Sequence, residues 1–391
     1  MPETVRDTEI NLGTRFLVFP QAPYIPGYGT PETVWISTAP GQLRPGPEDA
    51  RFYVRDPALP KEPYEFPYLP PFIGVASPPA TAGPDGHFDQ IPTQSREFLA
   101  AHAFACARRV LDIWESYLGR TIEWHFAPTY ERLEIIPVVD WDNAQSGYGF
   151  LELGYEQGEG GKGSPYALNF DTIAHEMGHA ILFSLIGMPE NALYSADFGA
   201  FHEACADVIS LLSFLHFDSG VDRLLRHCQG NLFTLNELNR IVELTGERQI
   251  RLASNSRRMS EVTNEVHDRS RPFTGAVFDT MAEIFHTILV EQELADERLL
   301  TIDLKNFDEG QLEEISALTS SSFAKSPFLF KSALTRARDI VGRVLVRTWQ
   351  EQDASALTLN NASEAIVDTA WQDDPSLAAL FEPSFQWREL L

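Results

Sequence analysis

Eighteen of the 26 prolines lie in the first 92 residues. Proline lacks a backbone N–H and clashes with the preceding helical turn, so "LPKEPYEFPYLPPFIGVASPPATAGPDG" excludes a long helix. The aromatics in that stretch argue against a free linker. The pattern predicts an ordered, extended wrapping segment over residues 1–95, with short strands at "RFLVF" and "ETVWIST". From residue 96 the period changes to that of helices. In "SREFLAAHAFACARRVLDIWESYLG", Phe98, Ala101, His102, Ala105, Val110, Ile113, Trp114 and Leu118 fall near one face, and Gly119 is placed to end the helix. "IEWHF" and "RLEIIPVVDW" read as strands. Beyond residue 220 most segments are amphipathic helices, among them "TGAVFDTMAEIFHTILVEQ" and "FKSALTRARDIVGRVLVRTWQEQ". There is no internal repeat.

The balance of 30 basic against 56 acidic side chains gives a net charge of −26. Such a surface repels phosphate backbones and anionic headgroups, which argues against a nucleic-acid or membrane partner and for mild attraction of cationic substrates. No run of about 18 apolar residues is present, so no membrane span is expected. Cys106, Cys205 and Cys228 are too few for a disulfide framework and suit a reducing compartment. The first residues carry early acids and only a short apolar run, unlike a secretory signal, so a cytoplasmic location is expected. "YEQGEGGKGSPYA" is rich in glycine, but Lys162 precedes Gly163, the wrong order for a phosphate-binding loop.

Chemistry concentrates in "NFDTIAHEMGHAILF". On a helix, His175 and His179 stand on one face one turn apart and can chelate a single ion. Zinc accepts imidazole nitrogen at about 2.0–2.1 Å. Glu176 sits about 100° round the helix, poorly placed as a ligand but able to reach a water on the ion's open side. Ile173, Ala174, Met177, Ala180, Ile181 and Leu182 surround the motif, so the helix is expected to be buried. A catalytic zinc needs a third protein ligand. "FGAFHEACADV" offers Glu203, with Asp207 four residues on, suited to accept the outer N–H of a ligand histidine. As residues of an exposed stripe these acids would mean nothing, but Ala200, Phe201, Ala204, Ala206 and Val208 place them in an apolar helix. Cys205 falls on the other side of that helix. His87, His102, His125, His216, His227 and His286 have no partner at metal spacing and are expected to be structural.

These segments resemble a thermolysin-type zinc metallopeptidase of the gluzincin group, with HExxH and a downstream glutamate ligand. "FLAAHAFACARRVLDIWESYLGR", "DNAQSGYGFLELGY", "NFDTIAHEMGHA", "FGAFHEACADV" and "EVHDRSRPFTGAVFDTMAEIF" carry the likeness, over roughly residues 95–290. It implies an α+β fold. A β-rich N-terminal catalytic lobe with an edge strand and the HExxH helix would span 96–185, and an α-helical C-terminal lobe 186–391, both preceded by the proline-rich segment. It implies one zinc ion on His175, His179 and Glu203. Glu176 would be general base and Asp207 the support of a ligand histidine. His267, otherwise a surface histidine beside Asp268, would stabilise the oxyanion. Tyr194 is the nearest candidate to assist it, and Asn143 and Ala144 would hold the substrate backbone. Arg251 and Arg258 compete as a substrate-binding arginine. His202 stands where the family has asparagine, and Gln145 where it has an aromatic residue. No acidic cluster resembling the family's double calcium site follows Glu203, and Asp171 alone is a weak remnant of one, so calcium dependence is not expected. The usual signal and pro-region are not recognisable.

The activity so implied is endopeptidase cleavage of peptide or protein substrates by metal-activated water. A catalytically silent binding protein on the same scaffold, or a zinc hydrolase of a non-peptide amide, would share the ligands. The intact Glu176 argues against the silent scaffold.

Overall fold

The computed structural model describes residues 12–59, 61–156, 163–190, 194–234, 236, 238, 240–245, 248–305 and 309–391, with backbone alone at 240–245 and 248–252. Lys162 and the side chain of Arg251 lie outside the described residues. The protein is mixed α+β. Chain contacts divide it into two units, one running up to Leu185 with Val242–Gln249, the other formed by Ile186–Ile241 and Ile250–Leu391.

In the first unit, β1 (Thr14–Val18) and β2 (Glu32–Ile36) form an antiparallel hairpin. A separate four-stranded sheet has the order β3 (Phe52–Val54), β4 (Leu133–Ile136), β6 (Phe150–Leu153), β5 (Ala144–Gly147). The first three are parallel, and β5 runs antiparallel to β6 at the edge. Side chains alternate across the sheet. Phe52, Leu133, Ile135, Leu151 and Leu153 share one face, where Phe52 meets Phe104 of α1 (Arg96–Leu118) edge-on. Alanines at 100, 101, 103, 105 and 107 let neighbours approach α1 from several sides, and all are buried.

The opposite face carries Glu134, Ile136, Phe150 and Glu152, and residues 61–72 lie across it. Tyr64 packs with Ile136, Val139 and Phe150, with Phe72 and Trp141 alongside. Both glutamates are fully buried. Glu134 accepts from the Tyr64 hydroxyl at 2.7 Å and the Phe72 N–H at 3.0 Å. Glu152 accepts from the Tyr64 N–H at 2.8 Å and from Gln145 of β5 at 2.6 Å, and pairs with the buried ammonium of Lys61. Burial and the Glu134 carboxylate push the Tyr64 phenol far above its ordinary pKa. Each carboxylate thus exchanges water for several donors, the condition for burying a charge.

"IEWHF" is not a strand. Ile122, Trp124 and Phe126 are buried at alternate positions, but the chain turns there, with Ala127 N–H on Trp124 O. Trp124 stacks on Phe126 and lies under the Arg51 guanidinium. Ring packing alone produces the period of two.

The second unit is helical: α3 (Ala196–Phe214), α4 (Asp218–Cys228), α5 (Val266–Glu291), α6 (Glu309–Lys325), α7 (Pro327–Gln350), α8 (Leu359–Asp373) and α9 (Pro375–Trp387). Between α4 and α5 the chain forms a hairpin of β7 (Arg240–Thr245) and β8 (Arg248–Leu252), whose residues Val242–Gln249 count with the first unit. By length and composition α5 could cross a membrane, but 83% of its most apolar window is buried, with α3, α7 and α9 packed against it. Arg388 is fully buried and bonds to Asp279 of α5 at 2.7 Å and to Arg257 O at 2.9 Å, tying the chain ahead of α5 to the C-terminal end. Gly275 makes room for it, since a Cβ there would stand 2.5 Å from the guanidinium.

Two outcomes follow from these buried charges. Lys61→Met leaves Glu152 without its counter-charge and is expected to cost about 3–5 kcal/mol in urea unfolding. Glu283 of α5 is raised by burial from 4.5 to about 7, with Lys305 opposing the shift. A carboxyl raised on folding contributes stability that is full below about pH 4.5 and is lost as pH rises through about 7. Wild type should therefore lose on the order of 3 kcal/mol relative to Glu283→Gln between pH 4 and pH 8, measured by urea unfolding at both pH values.

Candidate metal centre

Helix α2 (Phe170–Ile186) presents the first part of the site. Asn169 ahead of it accepts the Thr172 N–H at 3.2 Å, satisfying one orphan donor of the first turn. Asp171 in that turn is buried and accepts from Gln21 at 2.8 Å. Ile173, Ala174, Met177, Ala180, Ile181 and Leu182 are fully buried, so the helix is seated on its apolar sides. His175 is buried, and Glu176 and His179 are half-buried. The two histidine Nε2 atoms lie 3.1 Å apart, with their ring planes perpendicular. Two nitrogens bound to one tetrahedral ion at 2.0–2.1 Å would be separated by about 3.3 Å. The pair is therefore already spaced for chelation.

Helix α3 carries Glu203 and Asp207. Ser195 caps it, accepting the Phe198 N–H at 3.0 Å. Glu203 is half-buried, and Asp207, His202 and Cys205 are buried. His202 packs on Phe198, ring centroids 4.6 Å apart. Burial pushes the Cys205 thiol well above its ordinary pKa, and the Trp349 indole lies beside it. It is a core residue, as the sequence suggests.

Helix α5 brings His267 to Glu203, with Nε2 3.4 Å from a carboxylate oxygen. Close approach of α3 and α5 needs Gly199, because a Cβ there would strike Val266 at 2.7 Å. The pairing is fastened by Arg269, whose guanidinium bonds Asp197 at 2.6 and 2.7 Å. Tyr194, 59% exposed, packs on Phe198, and its phenol is raised by burial and by the Glu203 charge. Tyr194 and His267 thus both stand near Glu203.

One residue of this cluster is missed by reading the sequence. Glu265 holds His267 Nδ1 at 2.7 Å, which turns Nε2 toward Glu203, and its other oxygen accepts the Asp268 N–H at 2.8 Å as the cap of α5. Burial alone would raise the Glu265 carboxyl, but the bonds from His267 and the backbone outweigh it and lower its pKa. The available signal is an acid two residues before the histidine at a helix start. Arg258 bonds Glu389 at 2.9 Å and Trp387 O at 2.9 Å, so it serves the C-terminal end of the unit. Asn143 is exposed and accepts the N–H of Ala144, the first residue of edge strand β5.

The first unit thus offers two imidazoles at chelating spacing, and the second a carboxylate, Glu203, with His267 beside it. Two imidazoles and a carboxylate are donors that zinc accepts, and three protein ligands leave a position for water. The residues present fit a catalytic zinc. The other histidines do not gather: His102 is fully buried, contacts Ala167 O at 2.7 Å and accepts the Phe19 N–H at 3.0 Å, and burial pulls its pKa down to about 4.

Glu265→Ala should cost about 1 kcal/mol of stability in urea unfolding, the usual worth of a helix cap.

No protein-family model matches the chain, and no curated protein matches it. Among solved structures it is similar to the precursor of protealysin, a metalloproteinase from Serratia proteamaculans, at a TM-score of 0.47 and 12% identity, over 91% of this chain and 92% of that one. A likeness of that degree fixes neither family nor activity.

Proposed function

We propose that the protein is a zinc-dependent peptidase whose metal is held by His175, His179 and Glu203. The observation that carries this reading is the pair of histidine Nε2 atoms 3.1 Å apart on α2, with Glu176 next in sequence to His175; Glu203, 3.4 Å from His267, is the proposed third ligand. The resemblance of the flanking segments to thermolysin-type peptidases supports it. Zinc, when bound, supplies Lewis acidity that brings the pKa of water towards about 7. Glu176, one residue beyond a ligand and turned about 100° from it, takes the proton from the attacking water. It then delivers that proton to the leaving amine. His267, with Nδ1 held by Glu265, donates from Nε2 to the oxygen on which charge develops, and Tyr194 is the second donor. Asp207 supports a ligand histidine. Asn143 and Ala144, at the sheet edge, hold the peptide backbone by strand addition.

Metal content and cleavage of casein test the proposal. Wild type should bind one zinc and cut, and a chelator should abolish cutting. Glu176→Gln should keep the zinc and lose about 10²–10⁴-fold in rate. His267→Ala should keep the zinc and lose about 10²–10³-fold in kcat. A zinc-loaded wild type that cuts no peptide would refute the peptidase reading, and equal cutting by Glu176→Gln would refute the mechanism.

A further inference from the structure

A peptide laid along the free edge of β5 would leave that strand at Tyr148, and there three aromatic side chains meet. Tyr148 follows β5 in the turn to β6. Its ring stands edge-on to His125, with centroids 5.4 Å apart, and His125 lies 5.4 Å from Phe183. Phe183 is four residues beyond His179 and eight beyond His175, so it continues their face of α2. The rings therefore form a wall from Phe183, one helical turn beyond His179, to the end of the edge strand. A helical turn advances about 5.4 Å and a strand residue about 3.3 Å. Phe183, where the wall begins, thus stands about one helical turn beyond His179, a distance that one or two extended peptide residues span.

The wall is built rather than incidental. Tyr148 is flanked by Phe126 and Tyr130 at 6.2 and 6.1 Å. Gly149, at φ 88°, lets the turn press on Tyr130, because a Cβ there would stand 2.5 Å from that ring. His125 is anchored through its backbone N–H, which donates to Ser184 Oγ at 3.1 Å, and that hydroxyl donates to Ala180 O of α2 at 2.7 Å. Burial keeps the imidazole neutral at physiological pH, since its pKa falls to about 4. Yet the wall is open to solvent: Tyr148 is 40% exposed, and His125 and Phe183 are half-buried. It is an uncharged aromatic surface on a protein of net charge −26. On β5 itself, Gln145 is tied to Glu152 and Tyr64, so it is not available to supply an apolar contact.

We infer that Tyr148, His125 and Phe183 form a specificity-determining recess for a bulky aromatic side chain of a peptide extended along β5, one or two residues from the scissile bond. The inference rests on the peptidase reading of the metal group. Aromatic rings favour edge-to-face partners, and losing one apolar contact of this size changes discrimination by roughly 10–200-fold.

The test is a set of peptides with Phe or Ala at each position in turn, assayed for kcat/KM with wild type, Tyr148→Ala and Tyr148→Phe. Zinc content and melting temperature of each variant serve as controls for folding. At one position wild type should prefer Phe by about tenfold or more. Tyr148→Ala should bring that ratio to near one, and Tyr148→Phe should restore it. An unchanged ratio in Tyr148→Ala, or no position that prefers Phe, overturns the recess. Fluorescence anisotropy of the same labelled peptides separates the two ideas. Phe-dependent binding that needs Tyr148, without cleavage, leaves the recess standing and removes the peptidase reading. Neither binding nor cleavage removes both.

Discussion

Two imidazole nitrogens stand 3.1 Å apart on one face of a helix whose apolar residues Ile173, Ala174, Met177, Ala180, Ile181 and Leu182 are fully buried. Two imidazole nitrogens so spaced on one helix face are the arrangement that a single divalent cation can bridge. The rest of the site follows from keeping this arrangement open on one side. α2 needs apolar flanks to be seated. α3 needs Gly199, so that α5 can approach closely. α5 needs Glu265, which caps its first turn and turns His267 toward Glu203.

The sheet beside α2 meets a related constraint. Its two faces are both covered, by α1 and by residues 61–72. Glu134 and Glu152 therefore lose their water and are held by Tyr64, Phe72, Gln145 and Lys61. Gln145 links this buried network to edge strand β5. The strand proposed to meet a substrate is thus braced from behind by a segment rich in proline, whose restricted backbone loses little entropy on ordering.

Much of this was legible from residue types and spacing. The period of 3.6 marked α1, α2, α3, α5 and α7, because a helix seated on a core must repeat its apolar face. The i, i+4 histidines could be read as a chelating pair for the same reason. "IEWHF" was misleading because ring packing imitates the alternation of a strand without a pairing partner. Glu265 was hidden because its work depends on which way His267 turns, and a one-dimensional pattern has no direction. Arg258 looked available for a substrate, but a partner 131 residues later in the chain, Glu389, engages it.

The sequence by itself determined the helical periods, the proline-bound front, the acidic surface and the His175, Glu176, His179 motif, since these follow from local geometry and composition. Only the tertiary structure decided that Glu265 and Glu203 stand near His267, and that Tyr148, His125 and Phe183 converge. Those are contacts between residues far apart in the chain. They depend on how close two helices can come and how a turn packs, which is set by shape and burial rather than by order along the chain.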